Sequence, residues 1–248
     1  MGKENIIAIA SGKGGVGKTW LSITIANAFA NSGRKALLFD GDIGLANVDV
    51  QLGLSPKKDL GDVMSGKVAL ADSVTNYAPG KFDIIAGRSG SGSLANLSVD
   101  KINGLRTDLE KLSKNYDLVL LDLGAGIESQ VQALARLAQK CLIVITDEPT
   151  SLTDAYAFIK ILRIVDPSIE IQIIINMAEN QREGQKTFAN IKNACENFLK
   201  FTPKLAAIIR RDPKVKETIK SQSAMLVKYS KSLAAVDVSS LAIKLMAK

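Results

Sequence analysis

The 248 residues contain no histidine, which excludes a Ser-His-Asp triad and any histidine-ligated metal. Cysteine is limited to Cys141 and Cys195, far apart and without a Cys-x-x-Cys spacing. A disulfide framework or a paired-cysteine cluster scaffold is therefore not expected, and a reduced cytosolic protein is. Aromatic residues make up only 5% of the chain, so the core must be aliphatic. No apolar run approaches the ~18 residues that a membrane-spanning helix needs. The N-terminus is charged and enters an apolar run almost at once, so no signal peptide is expected.

What is present suits a single domain over 1–248, with 46% hydrophobic and 23% charged residues. The net charge of +7 is local. Between Lys200 and Lys231 lie nine basic residues (Lys200, Lys204, Arg210, Arg211, Lys214, Lys216, Lys220, Lys228 and Lys231) against Asp212 and Glu217, while the remainder is balanced. Such an excess is expected to form a patch facing something anionic.

Short apolar runs at 5–10, 36–40, 82–86, 117–122, 141–146, 171–176 and 204–209 alternate with helix-like stretches at 18–32, 98–115, 128–139, 152–165 and 184–199. The alternation predicts an α/β fold: one doubly wound, mostly parallel sheet with helices on both faces. Ligands of such sheets sit beyond the carboxyl ends of the strands. The segment 87–98 is rich in glycine and serine and reads as a mobile loop.

Gly12-Lys13-Gly14-Gly15-Val16-Gly17-Lys18-Thr19 lies between the first apolar run and an amphipathic one. Gly12, Gly17, Lys18 and Thr19 satisfy G-x-x-x-x-G-K-[ST], a phosphate-binding loop whose N–H groups turn around an anion at a helix N-terminus. This makes the chain a P-loop nucleotide-binding candidate, with Mg²⁺ beside the phosphates. Lys18 is expected to reach the β- and γ-phosphates, and the Thr19 hydroxyl to hold Mg²⁺. Lys13 is not needed for the outer pattern; flanked by glycines, it can swing out to a neighbouring subunit's γ-phosphate as an arginine finger does. Asp40-Gly41-Asp42 closes the second run, where Asp42 is placed to orient the attacking water or to bind Mg²⁺ through water. Leu118-Val119-Leu120-Leu121-Asp122 has a Walker B shape with Asp122 facing the metal, and Leu123-Gly124-Ala125-Gly126 reads as a flexible turn. Trp20, the only tryptophan, is expected to pack on the first helix and to border the nucleotide.

These residues resemble the deviant Walker A ATPases, the group that includes the MinD, ParA, nitrogenase iron protein and Mrp families. The resemblance implies ATP as the nucleotide and an ATP-sandwich homodimer in which Lys13 crosses to the other nucleotide. Ile43-Gly44-Leu45-Ala46-Asn47-Val48-Asp49 is similar to the switch I segment of MinD-like proteins, and the turn after Asp122 to their switch II, in which Gly126 would sense the γ-phosphate. Family members often place a small polar residue or proline where Leu123 stands. The family also implies that Asn176 reads the adenine edge; Arg210 stands where a proline often precedes further adenine contacts. Glu148-Pro149-Thr150-Ser151-Leu152-Thr153-Asp154-Ala155-Tyr156 is very similar to the FlhG/FleN branch, which sets flagellar number and position.

That branch implies slow ATP hydrolysis and a cytoplasmic location, peripheral at the inner face of the cell membrane. It implies as partners a membrane surface met through the C-terminal region and a flagellar regulator or GTPase. The N-terminal Asp-Gln-Ala motif by which FlhG proteins stimulate the GTPase FlhF is not in the sequence, so that route to a partner is not expected. Leu233, Val236, Leu241, Leu245 and Met246 form the apolar stripe expected to meet a membrane or a core. A ParA-type partition ATPase binding DNA through 200–231 is the alternative, which the 148–156 stretch opposes. An amidoligase would need a substrate pocket that no motif supplies.

Overall fold

Strands that are apolar on both faces belong in the middle of a parallel sheet, and this chain has several. The structure is a computed structural model that describes residues 5–42, 45–87 and 99–247, Val99 by its backbone alone. The strands β1 (Ile6–Ser11), β2 (Ala36–Gly41), β3 (Val74–Tyr77), β4 (Phe82–Ile85), β5 (Leu118–Ala125), β6 (Lys140–Ile145), β7 (Glu170–Ala178) and β8 (Lys204–Arg210) form one eight-stranded sheet in the order β3-β4-β2-β5-β1-β6-β7-β8. All pairings are parallel except β3 with β4. Alternate residues feed opposite faces: Ile6, Ala8 and Ala10 enter one core layer, Ile7 and Ile9 the other. Each fully buried leucine or isoleucine here contributes roughly 1.5–3 kcal/mol, which makes the central strands a rigid base.

One face is covered by α3 (Leu60–Met64), α4 (Val99–Ser113), α5 (Ser129–Ala135), α6 (Pro149–Val165) and α7 (Gln181–Leu199). The other carries α1 (Lys18–Asn31), α2 (Val48–Leu52), α8 (Pro213–Lys220), α9 (Met225–Lys228) and α10 (Leu233–Met246). Because α1 lies between sheet and α10, it is buried on all sides: Trp20, Leu21, Ile23, Ile25 and Phe29 are all in the core. The chain leaves β1 towards β2 on one side and returns across β5 to β6 on the other. The winding therefore reverses beside β1, and the crevice above its carboxyl end is where such sheets bind ligands.

Several expectations shift. β3 was not anticipated, because its four residues are short and mostly half-exposed or exposed. The helix expected from 152 starts at Pro149, where proline's fixed backbone suits the first turn. The helix expected from 184 starts at Gln181, capped by the Asn180 side chain accepting from Glu183 N at 3.0 Å. The flexible turn expected at Leu123-Gly124-Ala125-Gly126 is corrected: β5 runs on to Ala125, and Leu123 is buried in the core. The segment 87–98, apart from Gly87, lies outside the described residues, as do Ile43 and Gly44 of the switch I stretch.

The C-terminal stripe is divided by packing. Leu241 and Leu245 are buried, while Leu233 and Val236 are exposed. α10 seals the β8 edge of the sheet, with Arg210 donating from Nε and Nη2 to Asp237 at 2.9 and 2.8 Å. Among the described residues, no helix is long and apolar enough to cross a membrane. Both cysteines are buried thiols, and burial pushes Cys141 up to about 12. The basic segment is also less concentrated than its sequence: Lys204 pairs with Glu170, Arg210 with Asp237 and Lys214 with Glu217.

Candidate functional site

The loop from β1 to α1 is shaped by two positions that only glycine fills. Gly17 has φ +89°, and a Cβ there would come within 2.5 Å of Asn176 Nδ2. A Cβ on Gly12 would stand 2.2 Å from the Asp154 backbone. The loop is thereby pressed against β7 and α6, with α1 starting at Lys18 and its positive end facing the cleft. Lys18 is buried, and its Nζ donates to Ser11 Oγ at 2.9 Å. Burial lowers the Lys18 pKa, opposed by the nearby carboxylates of Asp122 and Asp42.

Those acids stand on adjacent strands. Asp122 is fully buried on β5 and accepts from Ser22 Oγ at 2.9 Å and from the Thr19 side chain. Burial pushes its carboxyl up to about 6, against the pull of these hydroxyls and of Lys18. Asp40 on β2 stands in register with Asp122. Its oxygens accept from the backbone N–H groups of Asp42, Asn47 and Val48 at 3.2, 3.0 and 3.0 Å, which ties the β2–α2 loop to the sheet. Burial first, and then Asp122, raises Asp40 to about 7. Asp42 is half-buried; burial raises its pKa and Lys18 opposes the rise. It lies over the end of β5, where a Cβ on Gly124 would be 3.1 Å from Asp42 Oδ1.

Lys13 points away from this cluster. Its Nζ donates to Glu148 Oε2 and, at 2.9 Å, to Thr150 Oγ1, at the start of α6. The side chains of Lys13 and Glu148 are 36% and 58% exposed, so the tie is a surface ion pair worth roughly 0.2–1 kcal/mol. Asn176 is buried and donates from Nδ2 to Val16 O at 2.8 Å, holding the loop. Gly126 has φ +104° and donates its N–H to Ser11 O at 3.0 Å.

A cavity of about 730 Å³ opens over these groups. Its walls include Gly14, Gly15, Gly17, Lys18, Thr19 and Asp42 together with Met177, Pro213, Val215 and Ile219. A glycine-lined cradle at a helix N-terminus, with a buried lysine, fits the phosphates of a nucleotide. Among the described residues no cluster of three or more acidic, cysteine or histidine groups could hold a metal. Mg²⁺ is held by one or two protein oxygens together with phosphates and waters; Thr19, Asp42 and Asp122 offer such oxygens beside the cradle.

Residues 7–225 match the CobQ/CobB/MinD/ParA nucleotide binding domain. The chain belongs to this family. It is 39% identical over 231 residues to the antiactivator FleN of Pseudomonas aeruginosa, covering 93% of this chain and 82% of that one, and so belongs to the FleN/FlhG group of MinD-like ATPases. It is 35% identical to the flagellum site-determining protein YlxH of Helicobacter pylori, over 79% of this chain and 66% of that one. The MinD of the Aquifex aeolicus MinC:MinD cell division complex superposes with a TM-score of 0.81 at 28% identity, over 98% of this chain and 96% of that one.

Within this MinD-like frame, Gly14, Gly15, Gly17, Lys18, Thr19 and Asp42 line one cleft with Trp20 and Asn176, and Asp122 lies near Lys18. Lys13 is tied to Glu148 and Thr150 instead, and Gly12, Val16 and Gly126 are not among the walls of that cleft. Arg210 also borders it, but its guanidinium is engaged by Asp237. Asp40, Ser11 and the Glu148–Thr150 anchor for Lys13 escaped sequence reasoning. An acid inside the apolar run Leu37-Leu38-Phe39-Asp40 was the available signal, because a buried carboxylate must find partners.

The Asp122 environment carries a test of its own. Its folded pKa of about 6 lies above the ordinary 3.8, so the folded chain holds this proton more tightly than the unfolded chain. The resulting destabilisation is absent below about pH 4, grows as pH rises and is complete above about pH 6. Asp122→Asn is expected to be more stable than wild type by about 2–3 kcal/mol at pH 8 without nucleotide, with the gap closing towards pH 4. Urea midpoints across that range measure it, and a gap independent of pH would contradict the assignment.

Proposed function

We propose that the chain is an ATP-dependent dimerising switch with slow hydrolysis that regulates the number or placement of flagella. The observation that carries this reading is Lys13, a loop lysine that leaves its own phosphate cradle to Lys18 and rests on a weak tie to Glu148. A cation so placed is available to a second subunit. ATP supplies the phosphoanhydride, and Mg²⁺ spreads the charge of its phosphates. Lys18 and the N–H groups of Gly12–Thr19 bind the phosphates, and the Thr19 hydroxyl takes Mg²⁺. Asp122 orients Thr19 and would help to hold the metal. Asp42 holds the attacking water, Gly126 senses the γ-phosphate, and Lys13 adds positive charge from the partner subunit.

The flagellar reading rests on the FleN and YlxH relatives, whose names describe an antiactivator and a flagellum site-determining protein. A flagellar regulator is the partner class this favours. The membrane reading has a narrower footing, the exposed Leu233, Val236 and Ile243 on α10.

The test uses the Asp42→Ala protein, which should bind ATP and hydrolyse it poorly. Light scattering is expected to show a dimer with ATP and a monomer with ADP; a monomer in both would sink the switch. Co-sedimentation of the same protein with anionic liposomes or with DNA then separates the targets. Liposome binding only with ATP supports a membrane cycle. Salt-sensitive DNA binding would move the reading to ParA-type partition. Binding to neither leaves a protein partner as the dimer's target.

A further inference from the structure

The turn out of β1 hangs on one buried hydroxyl. Ser11 is the last residue of β1, fully buried and paired with Ala125 of β5. Its carbonyl accepts from the Gly126 N–H at 3.0 Å, so its backbone is fixed by the sheet. Its Oγ accepts from Lys18 Nζ at 2.9 Å and donates to the Lys13 carbonyl at 2.6 Å. A hydroxyl carries one proton, and an ammonium can only donate, so that proton is left for the Lys13 carbonyl. The charge on Lys18 polarises the hydroxyl and strengthens the second bond of this chain.

Across a planar trans peptide the carbonyl and the next N–H point in opposite directions. With the Lys13 carbonyl drawn in to Ser11, the Gly14 N–H is turned away from it, and Gly14 lines the nucleotide cavity. Glycines at 12, 14 and 15 leave this peptide easy to flip. A flipped peptide would set a carbonyl oxygen where an N–H should meet an anion. A second loop carbonyl, that of Val16, is likewise held by a buried side chain, Asn176, at 2.8 Å. The Lys13 side chain gives no comparable hold, since its tie to Glu148 is exposed.

We propose that Ser11 is a positioning residue for the phosphate loop: its hydroxyl holds the Lys13–Gly14 peptide with the carbonyl inward, so that the Gly14 N–H is presented to phosphate. This rests on the nucleotide-switch reading above and deepens it. It also joins the two lysines of the loop, because the ammonium of Lys18 polarises the hydroxyl that sets the backbone of Lys13.

Calorimetric titration of the full chain with Mg²⁺–ADP, which involves neither hydrolysis nor a second subunit, measures the effect. Ser11→Ala removes one oxygen and is expected to weaken ADP about five- to tenfold, as loss of one hydrogen bond does. Gly14→Ala supplies a readout that a merely structural role of Ser11 would not move. Gly14 has no positive φ, and a Cβ on it meets nothing within 4 Å, so alanine fits the present peptide orientation. The flipped orientation reverses φ at residue 14, into the region that alanine avoids. In a Gly14→Ala background the peptide is held without the hydroxyl, and Ser11→Ala should then weaken ADP less than about threefold. Equal losses in both backgrounds would overturn the proposal and assign Ser11 to Lys18 alone. An ADP affinity of Ser11→Ala within about twofold of wild type would overturn it too. The Gly14 amide resonance reads the same point without a substitution at Gly14. ADP should move it in wild type and much less in Ser11→Ala, and the same shift in both would overturn the proposal. Failure of wild type to bind ADP or ATP would overturn the nucleotide reading itself, and the role of Ser11 with it.

Discussion

Lys13→Ala is expected to stay monomeric with ATP and to lose about 10³-fold or more in turnover, the scale on which a cation supplied from a second subunit acts in phosphoryl transfer. Binding of ATP to the single chain should survive, because the cradle, Lys18 and Thr19 do not depend on this side chain. Glu148 and Thr150 hold Lys13 back on its own chain, and leaving them costs roughly 0.2–1 kcal/mol for an exposed pair. Contact with a triphosphate across a subunit interface offers far more charge than one solvated carboxylate. Glu148→Gln weakens the tie without touching the lysine, and is expected to tighten the ATP dimer by up to about fivefold. Sedimentation velocity with ATP reads both variants. A normal ATP dimer of Lys13→Ala would remove the cross-subunit role, and a weakened dimer of Glu148→Gln would mean that Glu148 supports the interface instead.

The centre of this molecule was legible because it is built from local rules. Ile6–Ala10, Leu118–Leu121 and Cys141–Ile145 are apolar on both faces, and only the interior of a parallel sheet accepts such runs. The phosphate loop was legible for a similar reason, since glycines at fixed offsets before Lys18 serve a backbone conformation. What escaped depends on contacts distant in sequence. Asp40 gains its partners seven and eight residues on, at Asn47 and Val48, and lies beside Asp122 only because β2 pairs with β5. Leu123 reads as part of a glycine turn, yet pairing with Gly41 of β2 keeps it in the strand. The charge of 200–231 looked concentrated along the chain, but Asp237 and Glu170 lie outside that segment and answer Arg210 and Lys204. The C-terminal stripe could not be assigned to core or surface by periodicity, because α10 packs against both α1 and β8 and buries only part of it.

Asp42→Ala is expected to lower ATP turnover by about 10²–10⁴-fold, the range for loss of a positioned proton acceptor or water-holding group, while ATP still binds. The neighbouring acids explain why the proposed role falls to this carboxylate and not to the others. Asp40 is consumed by three backbone N–H groups, and Asp122 by the hydroxyls of Ser22 and Thr19. Asp42 is half-buried at the mouth of the cavity that holds Lys18, with a carboxyl raised by burial and held in check by that lysine. Its side chain does not fasten the loop, since the loop's ties run to Asp40, so Asp42→Ala should unfold within about 0.5 kcal/mol of wild type. Asp40→Ala should instead lose stability by several kcal/mol, having left three N–H groups without their acceptor. Asp42→Asn then separates charge from placement: an amide keeps the shape and can still hold a water, but cannot take its proton. Loss in Asp42→Asn equal to that in Asp42→Ala would make the negative charge the working part; a loss of tenfold or less would make it a positioning residue. Steady-state turnover with saturating ATP decides between them, and wild-type turnover in Asp42→Ala would take Asp42 out of the reaction.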